Sequence, residues 1–186
     1  ASKAEQARRE QERAKQRACS YCHLTGHNKK TCPKVKADTD VAAKANRTFR
    51  KDFLTRCKAL GFGPGTLVEF KLPKDAGDYE KRNFERLRKT HGLLAMVVGF
   101  DANHITTKLK EAYYGMDKQL VKVKFPKGQS QNLRLPQEFA GFVNAHNLSA
   151  NMHIGCEVNM ENIEKNFSTG WKTGHAGVPE QLGLNK

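Results

Sequence analysis

The run Cys19-Ser20-Tyr21-Cys22-His23-Leu24-Thr25-Gly26-His27-Asn28-Lys29-Lys30-Thr31-Cys32-Pro33 sets three cysteines and a histidine at the spacing C-x2-C-x4-H-x4-C. A tetrahedral Zn²⁺ ion takes four thiolate or imidazole ligands at about 2.0–2.3 Å, and a Cys-x2-Cys loop delivers two thiolates to one ion. Gly26 lets the chain turn sharply, with φ > 0, so that His27 swings back to the metal. Pro33 stops the turn once the last ligand is placed. The expected metal ligands are therefore Cys19, Cys22, His27 and Cys32, holding one structural zinc, because four protein ligands leave no position for water or substrate. The bland alternative is a redox pair or a disulfide with a histidine nearby. His23 is a possible competing ligand.

These residues resemble the CCHC zinc-knuckle family. The wording Gly26-His27-Asn28-x-x-Thr31-Cys32-Pro33 is most similar to knuckles of Mutator-type transposases and plant Myb-related proteins, with the retroviral nucleocapsid knuckles more distant. The resemblance covers residues 19–33 alone. It implies a zinc-stabilised loop that binds single-stranded nucleic acid or, less often, a protein partner. Retroviral knuckles stack a base between an aromatic after the first cysteine and an apolar residue after the histidine. Ser20 and Asn28 hold those positions here, with the aromatic displaced to Tyr21.

Charge is the second constraint. The formal net charge is +14, and residues 1–60 carry 16 Lys/Arg against 6 Asp/Glu, a net of +10. Self-repulsion on that scale is relieved by a polyanion through counterion release, so RNA or DNA is the expected partner. No apolar run approaches 18 residues, and the basic N-terminal stretch lacks an apolar face for insertion, so no membrane is expected. Five cysteines in such a chain suit a reducing, intracellular compartment, cytoplasm or nucleus. Cys57 and Cys156 read as buried thiols, with a bridge between them the lesser alternative.

In chain order, residues 1–18 are good helix formers without a large apolar side chain, a basic helical arm expected to order on a nucleic-acid surface, with a solvated or disordered tail the alternative in the free protein. Arg9, Arg13 and Arg17 recur every four residues as a cationic stripe. After the knuckle at 19–33, Asp38 or Asp40 can cap an amphipathic linker helix over 38–61. Ala45, Phe49, Phe53, Cys57 and Leu60 gather on its apolar side, with Lys44, Arg47, Lys51 and Lys58 opposite.

From Thr66 the period changes to two. Strands are expected over 66–72, 93–100, 105–109, 119–125 and 132–136, with a charged helical insertion near 79–90. Five short strands bury a face best by closing, so a small β-barrel is expected over 64–160. The order Gly-x-x-Val-x-Phe, then an apolar strand ending in Val-Gly, then Val-x-Val-x-Phe, resembles SH3-like barrels of the KOW and Tudor kind over roughly 64–140. That resemblance implies binding of RNA or a protein tail, with Tyr113 and Tyr114 as a stacking platform or simply as packing residues. A short helix is expected over 138–144, a sixth strand or a strap across the barrel over 153–158, and an extended C-terminal tail over 161–186, anchored by Trp171 to the barrel or to a partner.

The whole is thus expected to be an α+β chain of basic helix, CCHC knuckle, amphipathic helix and SH3-like barrel. No G-x-S-x-G or H-E-x-x-H motif is present, no acidic catalytic triad can be placed, and His146 and His153 lie in a weakly patterned region, so no enzyme is expected. The expected nucleic-acid contacts are Tyr21, Lys29, Lys30, Lys34, Lys36, Arg9, Arg13, Arg17, Arg47 and Lys51, with RNA favoured over DNA because the knuckle is too small to fill a major groove. The rival from another class is a protein-interaction factor that docks on a ribosome or RNA polymerase through barrel and knuckle.

Overall fold

The computed structural model describes residues 2–107, 119–145 and 150–185. Helix α1 spans Lys3–Gln16, with Ser2 capping it through the Glu5 amide at 3.3 Å. Helix α2 runs Pro33–Leu60, starting five residues before the expected Asp38 cap. The reason is Pro33, whose fixed φ suits the first helical position. The knuckle therefore feeds straight into α2.

The buried stripe of α2 is Ala43, Asn46, Phe49, Arg50, Phe53 and Cys57. It differs from the expected one in two ways. Ala45 is exposed, while Asn46 and Arg50 lie inside. Nor is α2 a linker. Phe49 and Phe53 meet Phe142, with ring centroids 5.1 and 6.0 Å apart, and Phe53 also packs edge-on against Phe100 at 5.3 Å. Its inner face is part of the main core.

Strands β1 (Leu67–Phe70), β2 (Leu94–Phe100), β3 (Val121–Lys124) and β4 (Ser130–Leu133) pair in succession, all antiparallel. Helix α3 (Asp78–Thr90) is the insertion between β1 and β2. β5 (Leu135–Pro136) and α4 (Ala140–Ala145) follow, and β6 (Ala150–Cys156) returns beside β1. β5 lies parallel to β6, so the order is β4-β3-β2-β1-β6-β5 and the hydrogen-bonded sheet is open. Its two edges are nonetheless consecutive in the chain, separated by Arg134 alone.

The strand expected over 105–109 does not form at Ile105–Thr107, where Ile105 is buried and follows a 3-10 turn. The rest of that stretch, Tyr113, Tyr114 and His146 lie outside the described residues. Cys57 is a buried thiol as expected, but Cys156 at the end of β6 is exposed, and none of the five cysteines is bridged. A register shift between Leu67 and Val68 explains the exposure: strict alternation would set Cys156 on the inward face of Met152, but the bulge pairs it with the outward Leu67.

The largest departure is at the C-terminal end. Instead of an extended tail, residues 163–166 form a 3-10 turn, followed by α5 (Thr169–Lys172) and α6 (Val178–Gln181). Trp171 is fully buried, stacked on Phe167 at 3.8 Å, and its Nε1 donates to the Ala102 carbonyl at 2.7 Å. Burying an indole of this kind is worth about 4–6 kcal/mol of transfer free energy. Gly174 permits the close approach: with φ +92°, any Cβ there would lie 1.9 Å from the Ala43 carbonyl oxygen of α2. Asn46 locks the same junction, donating to Gly174 O at 3.1 Å and to Gln181 Oε1 at 2.8 Å.

Candidate metal centre and its cationic surroundings

The knuckle is built from local turns. The His23 amide donates to Cys19 O and the Cys19 amide to Leu24 O, both at 2.8 Å, closing the Cys-x2-Cys loop. Gly26 has φ +92°, the left-handed backbone expected of it. Asn28 then caps the 3-10 turn Lys29–Thr31, accepting from the Lys30 and Thr31 amides at 2.9 and 3.1 Å, while Thr31 Oγ1 accepts from the Asn28 amide at 3.3 Å. This reciprocal cap delivers Cys32. It also explains why a polar residue follows His27: Asn28 is spent on the backbone.

The donor atoms of Cys19, Cys22, His27 and Cys32 all lie within 4.8 Å of one another, with Cys22 Sγ 3.0 Å from His27 Nε2. Sulfurs at about 2.3 Å from a tetrahedral ion sit about 3.8 Å apart, so the group is of the right size for one metal ion. Cys19 and Cys32 are buried, whereas Cys22 and His27 are half-buried. The Cys22 amide is the largest influence on Cys19 and, against burial, brings its thiol down to about 7. Thiolate is the form a metal binds, so this bias favours loading near neutrality. The Leu24 amide pulls Cys22 down, but burial and the Cys32 and Cys19 sulfurs leave it raised.

His23 is not among the four clustered donors. It is exposed and is the only non-glycine residue with φ > 0 among those described, at 62°. A left-handed residue with a Cβ costs about 1–2 kcal/mol, which glycine avoids. His23→Gly is accordingly expected to raise metal affinity about fivefold in competition against a chelating dye. A fall in affinity would instead make the imidazole a ligand.

Tyr21 braces the knuckle against α2: its hydroxyl donates to Asp38 Oδ2 at 2.7 Å, and Lys34 Nζ lies 3.1 Å from the same oxygen. The Asp38 bond is the main reason the Tyr21 phenol is pushed up to about 12. Tyr21 and Lys34, both expected to contact nucleic acid, thus share a carboxylate, and the half-exposed Tyr21 ring is what remains for other contacts. An aspartate one turn into a helix, read as a cap, was the available signal for this tie.

The remaining cations sit apart. Lys30, Lys36, Arg47 and Lys51 are exposed, and Lys29 is half-buried. On α1, Arg9 lies 3.8 Å from Glu5, and Arg13 is exposed. Arg17 is also exposed but lies past the helix end with extended backbone, so the stripe is not continued in regular helix to it. No helix among the described residues is long and apolar enough to cross a membrane.

Sequence reasoning missed Arg50. It is 1% exposed and spends its guanidinium on three backbone carbonyls: Nε on Ile105 O at 2.8 Å, Nη1 on Trp171 O at 2.8 Å, and Nη2 on Ala176 O at 2.6 Å. Its carbon lies 5.0 Å from the Trp171 ring centroid. Burial pulls it down to about 10, which leaves it charged at neutral pH. Heptad-like spacing of Ala43, Asn46, Arg50, Phe53 and Cys57 was the signal that could have placed it inside.

Against known proteins, the chain matches no family model, no curated protein and no solved structure.

Proposed function

We propose that this chain is a non-catalytic, zinc-dependent nucleic-acid-binding protein that favours RNA. The observation that carries the proposal is the closed set of three sulfurs and one imidazole lying between two basic helices. Three thiolates and an imidazole select zinc over the harder divalent ions, and a fully protein-ligated site suits scaffolding rather than chemistry. Zinc holds the loop so that Lys29, Lys30 and the Tyr21 ring present together, while Arg9, Arg13, Arg17, Lys36, Arg47 and Lys51 supply sequence-independent phosphate affinity. The five free thiols agree with a reducing, intracellular compartment.

We read the sheet as an SH3-like barrel. Support comes from the β1-to-β4 meander, the return of β6 beside β1, and the passage from one sheet edge to the other at Arg134.

The test is a salt titration of zinc-loaded protein against a single-stranded RNA. Contacts from the six side chains Arg9, Arg13, Arg17, Lys36, Arg47 and Lys51 contribute about −4 to the expected slope of log K against log[salt], at about −0.7 per phosphate. A flat plot removes the proposal. The intact chain is the right material, because truncation at residue 64 would strip Phe49 and Phe53 of their core partners.

One observation favours the second reading, a protein-interaction factor on a ribosome or RNA polymerase. β2 is apolar on both faces: Ala95 and Val97 point into the core, while Leu94, Met96 and Val98 are exposed beside Leu67 of β1. A strand of that pattern usually has both faces covered. This reading expects no measurable affinity for bare RNA.

A further inference from the structure

We infer that the outward stripe of α3, formed by Tyr79, Arg82, Arg86 and Lys89, is a second RNA-binding surface, remote in sequence from the knuckle. The inference rests on the nucleic-acid function proposed above.

Helix geometry puts these four residues together. Their spacing of three, four and three positions confines them to a sector of about 80° at 100° per residue. The opposite side of α3 fixes its orientation: Leu87 is fully buried, and Phe84 packs on Phe70 with centroids 5.3 Å apart. All four stripe residues are exposed, and Tyr79 is 74% so, which is unusual for a large aromatic ring.

Ordinary helix surfaces balance their charges locally, and α3 does not do so along this stripe. Each of its three acids is engaged elsewhere. Asp78 lies 4.0 Å from Lys81, Glu85 lies 2.7 Å from Arg88, and Glu80 is taken by Arg134 and the Gly77 amide. Arg82 and Lys89 have no acidic partner among the described residues. Arg86 donates to Asn83 Oδ1 at 2.8 Å, a neutral amide that orients the guanidinium without compensating its charge. Three cations without an ion-pair partner among the described residues and one bare aromatic ring therefore run along about 15 Å of helix, about the length of four stacked nucleotides.

That combination fits single-stranded RNA, with phosphates against the cations and a base on the tyrosine face. A lipid surface fits less well, because this side of α3 carries no apolar residue besides Tyr79 to enter the bilayer.

The test uses full-length, zinc-loaded protein and a 5′-labelled oligouridine of about 20 nucleotides, a length that exceeds the stripe. The stripe variant is Arg82→Gln/Arg86→Gln/Lys89→Gln. Its control, Lys127→Gln/Lys165→Gln/Lys172→Gln, removes the same formal charge from exposed sites elsewhere. The stripe variant is expected to flatten the salt slope by about 2, and the control much less, at about 0.7 per lost phosphate contact. Tyr79→Ala is expected to weaken binding about tenfold at an unchanged slope, which is the signature of a lost stack. Equal slopes for stripe variant and control overturn the inference. So does binding of the wild type to phosphatidylserine vesicles that the stripe variant loses while its RNA slope is unmoved. Failure of the wild type to bind the oligonucleotide at all is a different result: it removes the parent proposal, and this one with it.

Discussion

Stripped of its metal by a chelator, the protein is expected to lose order over residues 19–32 while the rest of the fold stays intact. The knuckle has no core of its own. Its only buried residues are Cys19 and Cys32, and neither belongs to the apolar cluster that runs from Phe49 to Trp171. What remains without a metal is a few backbone bonds, the Asn28 cap and the Tyr21–Asp38 tie. Each is worth about 1 kcal/mol net, against about 1–2 kcal/mol of backbone entropy for every residue held. Structural zinc sites supply about 10–16 kcal/mol of binding free energy at neutral pH, enough to reverse that balance. The sole tryptophan, Trp171, reports on the remainder and is expected to keep its buried emission in the stripped protein. RNA affinity is expected to fall at least about tenfold, and Cys32→Ser to reproduce both effects. Unaltered affinity in Cys32→Ser would end the metal-dependent model of binding. A red-shifted Trp171 on chelation would show that knuckle and core are not energetically separate.

Arg50→Met is expected to do the converse: to leave the metal bound and destabilise the core by about 3–5 kcal/mol. The side chain fills similar volume, but the buried Ile105 and Ala176 carbonyls lose their donors, while Trp171 O keeps the Gly174 amide at 3.1 Å. Each orphaned acceptor costs about 1–3 kcal/mol, part of which is recovered because a desolvated guanidinium is removed. With an m-value of about 2 kcal/mol/M, the urea midpoint falls by about 2 M. Arg50→Lys is expected to fall about halfway, since one ammonium cannot reproduce a fork aimed at Ile105, Trp171 and Ala176. Because two of those carbonyls belong to the C-terminal segment, a red shift of Trp171 should accompany the loss. A midpoint shift below about 0.5 M would mean that this network adds little beyond packing.

Much of the molecule was legible one stretch at a time. The knuckle is a local object: the ligand spacing and the turn at Gly26 lie within one short loop, which ends where Pro33 opens α2, and the four donors do come together. Strand alternation placed β1, β2 and β3 to within a few residues, and charge runs placed α1 and α3. Errors arose where two distant segments share a boundary. Residues 161–186 look polar and glycine-rich, yet Gly174 and Gly177 are there because backbones pass close by, at Ala43 and at Asn103.

Arg50 is the clearest case. A cation on a helix reads as solvent-facing when the only known neighbours are its own turn, and nothing nearby in the chain announces carbonyls at positions 105, 171 and 176. The amino-acid sequence alone determined a group of four donors that could hold one ion, the excess positive charge and the alternation that makes a sheet, because each depends on residues within a few positions of one another. Only the tertiary structure decided that α2 is a core helix, that the C-terminal segment closes over it, and which α3 cations lack an acidic partner. Those outcomes depend on which distant groups satisfy a buried donor or neutralise a charge, and that is a property of packing.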